Sequence, residues 1–146
     1  MDNNKYKRLT EWIAENYQPL SNWIYFNATI MEVGNTSLNT MEGQDATQTF
    51  NDGSKEVNLP FAIAMIKAYD AEMSDTNLDA IKEIDHFIEW LNAQDVAQNF
   101  PDLGENITVF GLDVLDSSPS VSVDNEQNLA KYQFNCTINY LEQNII

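Results

Sequence analysis

The stretch Ala46-Thr-Gln-Thr-Phe50-Asn51-Asp52-Gly53-Ser54, continuing from Lys55 to Tyr69, decides how the rest of the chain can fold. Asp52-Gly53 is a strong two-residue hairpin signal, because a type I′ turn requires positive φ at both central residues. Gly reaches that region freely and Asp tolerates it better than most residues. Beyond the turn, Val57, Leu59, Phe61, Ile63 and Met65 alternate with Asn58, Pro60, Ala62 and Ala64. A period of two points one row at a core and leaves small or polar residues opposite. Pro60 has no amide hydrogen for a ladder, so the strand is expected to be an edge there, or to begin pairing later. No reactive side chain sits on the hairpin, which makes it an element of fold rather than of chemistry.

Towards the C-terminus, Asp70 to Thr76 reads as a polar connection, and Thr76-Asn77-Leu78-Asp79 as a helix start with Thr76 as its cap. Leu78, Ile81, Ile84, Phe87, Ile88 and Leu91 then form a stripe at helical spacing, predicting a helix over Leu78 to Leu91. Ile107 to Leu115 is a strand candidate, and Val121 and Val123 resume the alternation after a turn at Ser117-Ser118-Pro119. The last strand is the cleanest, with Tyr132, Phe134, Cys136, Ile138 and Tyr140 on one side. Towards the N-terminus, Leu9, Trp12, Ile13 and Tyr17 predict a short amphipathic helix over Tyr6 to Tyr17, ended by Pro19. Ser21 to Val33 fits either a second short helix or an irregular strand, and Ser37 to Met41 alternates weakly as a strand. The order predicts one α+β domain over residues 1–146. Its mainly antiparallel β-sheet, with the central hairpin, packs against one long helix and a short N-terminal helix.

Composition narrows the function. The chain carries 23 acids against 7 bases, a net charge of −16 over 146 residues. Lys5, Lys7 and Arg8 supply three of those bases at the N-terminus, so the body from Leu9 onward is more acidic still. Such a field repels phosphates and argues against a nucleic-acid-binding module. It suits a surface past which DNA slides without sticking. No apolar run approaches the roughly 20 residues of a membrane helix, and no secretory type of segment follows the N-terminal residues, so synthesis in the cytoplasm is expected. Cys136 is the single cysteine, which precludes an internal disulfide or a thiolate cluster within the chain.

The parts of an active site are sparse. His86 is the single histidine, and with Glu89 it offers at most two ligands from one helix face. There is no Gly-x-Ser-x-Gly turn and no glycine-rich phosphate loop. Asp113, Asp116 and Asp124 flank a turn without the central Gly and terminal Glu of a calcium loop. No catalytic residue, metal or cofactor is expected.

Several pieces together carry a resemblance: Phe50-Asn51-Asp52-Gly53-Ser54 before a strand with Phe61, the helix ending Phe87-Ile88-Glu89-Trp90-Leu91, Phe100-Pro101 after it, and the closing Lys131-Tyr132-Gln133-Phe134 with Tyr140. In order and spacing these are similar to the minor capsid or tail-terminator proteins of long-tailed phages and prophages of Gram-positive bacteria. That resemblance implies a small α+β virion protein, not an enzyme, assembled in the host cytoplasm. It implies a ring of copies, commonly six, which caps the tail tube and joins it to the head. Its partners would be itself, the tail tube protein and head-completion or connector proteins, with DNA passing through and no membrane. Ring subunits meet head-to-tail through two different surfaces. Lys5, Lys7 and Arg8, on an N-terminal tail, are the expected contacts to an acidic neighbour. Glu42 and Asp45, in the polar stretch Gly34 to Asp45, are expected to face the lumen, with Asp70 to Thr76 a second candidate loop. The alternatives from other classes are an acidic DNA mimic that inhibits a nucleic-acid-binding protein, and a small hydrolase or binding module.

Overall fold

The computed structural model describes residues 3–17, 24–28, 31–41, 46–70, 74–116 and 118–143. Among these residues two helices, α1 (Asn3–Asn16) and α2 (Ser74–Ala97), pack on a sheet of seven strands. These are β1 (Ile24–Phe26), β2 (Thr36–Thr40), β3 (Ala46–Thr49), β4 (Lys55–Ala68), β5 (Ile107–Val114), β6 (Ser120–Asp124) and β7 (Leu129–Glu142). The strand order is β1-β2-β4-β7-β5, with β3 beside β4 and β6 beside β7. Every pairing is antiparallel except β1 with β2. The protein is therefore α+β, with the mostly antiparallel sheet and the two helices that the sequence predicts.

β4 and β7 form the spine, paired without a break from Lys55↔Glu142 to Ala68↔Leu129. Their alternation brings the two predicted apolar rows onto one face: Leu59 opposite Ile138, Phe61 opposite Cys136, Ile63 opposite Phe134. All six are fully buried. Pro60 sits on this central strand and not at the sheet's border, yet its backbone is spared a ladder on one side. β2 pairs with β4 from Phe61 to Met65 and β3 from Lys55 to Val57, so Asn58 to Pro60 lie in the gap between them. The Pro60 carbonyl accepts a hydrogen bond from the Tyr6 hydroxyl at 2.9 Å.

The hairpin tip falls at Asp52-Gly53, as the sequence predicts, but the turn is of another kind. The Phe50 amide donates to the Ser54 carbonyl at 2.7 Å, and the Gly53 amide to the Phe50 carbonyl at 3.0 Å. Only Gly53 has positive φ, at 89°, so Asp52 does not take up the type I′ conformation. A three-residue loop closed by a left-handed glycine results. The Asp52 carboxylate instead accepts the Ser54 amide at 2.8 Å, and that bond holds its pKa below the usual carboxylate value. Gly53→Ala should therefore cost about 1–2 kcal/mol, read as a lower urea midpoint, because a Cβ crowds the backbone at this φ.

Helix α2 carries its buried stripe on Ala80, Ile84, Phe87 and Leu91, with Ile81, Ile88 and Trp90 half-buried at its flanks. It begins at Ser74, so Thr76 and Asn77 lie inside its first turn and Thr76 is not the cap. Asn77 instead clamps the preceding connection: its amide donates to the Asp70 carbonyl at 2.9 Å, and its side-chain oxygen accepts the Asp70 amide at 3.2 Å. Leu78, expected in the stripe, is 55% exposed. It lies six residues before Ile84, about 120° away around a helix that turns roughly 100° per residue. Helix α1 buries Tyr6, Leu9 and Ile13, and beyond its end Tyr17 stacks on Phe87 at 4.5 Å between ring centroids. Trp12 rests against Trp90 at 5.3 Å between ring centroids. The ambiguous stretch after Pro19 contributes strand β1, and no described part of it is helical.

Candidate assembly surface

Three of the residues expected at an interface belong to helix α1 and not to a tail. Lys5 is 7% exposed and holds its ammonium 5.6 Å from the centre of the Tyr140 ring. An attraction to the π face of the ring offsets part of its desolvation. Lys7 pairs with Glu11 one turn along the helix at 3.9 Å, and Arg8 reaches Asp102, beyond α2, at 3.7 Å. Both pairs are solvated and contribute about 0–1 kcal/mol each. A helix forms here because the Tyr6-Leu9-Ile13 spacing gives the segment a face to bury. Glu42 and Asp45 lie outside the described residues. Of the two proposed lumen stretches, Thr36 to Thr40 is strand β2 with Thr36 and Ser37 buried, and Thr76 is helical.

The candidates for chemistry are occupied structurally. The His86 Nδ1 lies 2.7 Å from the Tyr17 hydroxyl. Burial, and then the Glu83 charge, push the Tyr17 pKa up, so the hydroxyl keeps its proton within this hydrogen bond. Tyr17→Phe should lose about 0.5–1.5 kcal/mol in urea unfolding, whereas His86→Ala should leave any assembly unchanged by sedimentation. Among the described residues no group of three or more His, Cys, Asp or Glu is placed to hold a metal. Cys136 is fully buried, and burial, followed by the Asp116 charge, pushes its thiol pKa far up. The three aspartates near the β5–β6 turn also have local duties. Asp113 accepts from the Asn139 amide at 3.0 Å, Asp116 from the Asn135 backbone at 2.7 Å, and Asp124 from the backbone of Glu126 at 3.1 Å.

What remains is surface. Phe50, Asp52 and Glu56 of the hairpin, with Phe110 and Leu141, line an open depression of about 570 Å³. Phe110 reaches it because β5 slips register between Val109 and Gly111, leaving Phe110 as the extra residue of a bulge and 50% exposed. Exposed apolar side chains also collect along the outer strands: Phe26 on β1, Leu115 after β5, and Val121 and Val123 on β6. An alternating Val-Ser pattern suggests one buried face, so their exposure could not be read from the sequence. Compared with known proteins, the chain matches no family model, and no curated protein is significantly similar to it.

Proposed function

We propose that the protein is a structural component of a phage neck, a tail terminator whose copies form a ring around the DNA channel. The observation that carries this reading is where the positive charge goes. Lys7, Arg8, Lys55 and Lys67 each pair with a carboxylate of the same chain, to Glu11, Asp102, Glu142 and Glu83. Lys5 is buried against Tyr140. With five of the 7 bases so engaged, four of the 23 acids lie in those pairs and the others, at a net charge of −16, dominate the field around the molecule. A ring with such walls repels passing DNA at every phosphate, so that the duplex moves through without adhering. The resemblance of the hairpin, the long helix and the closing strand to phage tail terminators supplies the neck as the setting.

The partners on this reading are other copies of the chain, commonly six to a ring, with the tail tube on one side and head-completion proteins on the other. No reaction, metal or cofactor enters. The test is a comparison of particles from the source phage or prophage with and without this gene. Loss of the protein should leave heads and tails separate, with tails of uncontrolled length. Normal joined particles would overturn the neck role, and the acidic DNA mimic would take its place.

A further inference from the structure

A buried row of side chains crosses the sheet from one border to the other and ends in solvent. Ile24, Thr36, Met65, Tyr132 and Val121 stand opposite one another on β1, β2, β4, β7 and β6. The first four are at most 4% exposed, and Val121 is 49% exposed. Val123, on the same face of β6, is 40% exposed. At the opposite border Phe26 of β1, paired with Leu38, lies on this same face and is 37% exposed. Among the described residues β1 pairs with β2 alone and β6 with β7 alone, so each presents an outer backbone edge.

Edges of this kind are ordinarily blunted by Lys, Pro or a bulge. β5 has its bulge at Phe110, but β6 reads Ser120-Val-Ser-Val-Asp124, without lysine, proline or register shift. Charge marks the same two borders. β1 lies within Asn16 to Met31, the longest stretch of the chain without an acid or base, and Ser117 to Val123 is likewise uncharged. Two copies at −16 each repel, and they approach at least cost where neither carries charge.

We infer that β6 of one copy adds to β1 of the next, so that the sheet continues from copy to copy. β1 runs with β2, while β4, β7 and β6 alternate in direction from there, which leaves β1 and β6 antiparallel. Copies repeated about an axis along the strands then meet in an antiparallel ladder that sets Val121 in the row of Ile24, with Phe26 its diagonal neighbour on the face that carries the core. The two surfaces differ, so the contact is heterologous, the kind that forms a ring when the rotation between copies closes. This inference rests on the ring of the proposed function for its closure, and on the sheet alone for its surfaces.

The experiment is sedimentation velocity and native mass spectrometry of the full chain near physiological salt, with circular dichroism of every variant to confirm folding. One variant carries Phe26→Glu, a second Val121→Glu with Val123→Glu, and a control carries Val96→Glu, which is 85% exposed on α2 and away from both borders. The wild type and the control should form closed oligomers, and each edge variant alone should be folded and monomeric. Mixed in equal amounts, the two edge variants should give a one-to-one dimer and nothing larger, because each retains the border that the other lacks. Edge variants that assemble like the wild type would overturn the edge contact and leave the ring intact. A dimer formed by either variant alone would overturn the head-to-tail pairing, and a monomeric wild type would overturn ring and contact together. Virions that assemble normally without the gene would remove the neck role while leaving the edge contact standing.

Discussion

Phe87→Ala should destabilise the protein by about 3–5 kcal/mol, against a total of roughly 5–15 kcal/mol for a domain. Phe87 is fully buried where both helices meet the sheet. Its ring stacks on Tyr17 at 4.5 Å and meets Phe134 of β7 edge-on at 5.8 Å, with Trp90 at 6.2 Å. Truncation removes the transfer energy of the ring and leaves a cavity that three aromatic neighbours cannot collapse into without losing their own contacts. The urea midpoint should fall by more than about 1 M, since slopes for small proteins are about 1–3 kcal/mol per M. Ile84→Ala, one turn away, should cost about 2–5 kcal/mol. Val96→Ala, near the exposed end of the same helix, should stay within about 0.5 kcal/mol. Equal effects at positions 87 and 96 would show that α2 does not pack through this stripe.

Stability should also fall steeply in alkali, starting at Cys136. An unfolded thiol gives up its proton near pH 9.0, while the buried thiol keeps it. Above that pH the unfolded state binds fewer protons than the folded one, so rising pH favours unfolding. For one group the slope reaches about 1.4 kcal/mol per pH unit. The contribution is complete below pH 9 and is lost as pH climbs towards the raised value of the folded thiol. Tyr6, Tyr17 and Tyr132, whose pKa values burial raises from 10.0, act in the same direction and begin later. Denaturation curves between pH 8.5 and 10 should therefore show a slope for the wild type that Cys136→Ala reduces, leaving the share of the tyrosines. An unchanged slope in the variant would place the alkaline loss elsewhere. In the folded protein below pH 9, alkylation of Cys136 should proceed only through opening of the sheet, because the reactive species is the thiolate.

The sequence by itself determined what depends on local periodicity. Alternation placed the rows of β4 and β7, since a side chain in a strand has only two directions. Helical spacing placed α1 and the centre of α2 for the equivalent reason. The apolar side of β7 likewise marked Cys136 as a buried thiol. Tertiary structure decided what depends on neighbours distant along the chain. Pro60 is tolerated in a central strand because β2 and β3 stop on either side of it, and nothing near Pro60 encodes where they stop. Asp52 was free to leave the positive-φ region once the Ser54 amide took its carboxylate. Leu78 belongs to an apolar stripe by type, but the sheet below α2 meets Ala80, Ile84 and Phe87, so Leu78 turns outward. Lys5 has the composition of a solvated tail residue, and becomes an interior one because helix α1 lays it over Tyr140. Most consequentially, the valines of β6 alternate like any half-buried strand. Only the position of β6 at the border of the sheet leaves them in solvent, since burial belongs to what lies across a strand and not to the strand itself.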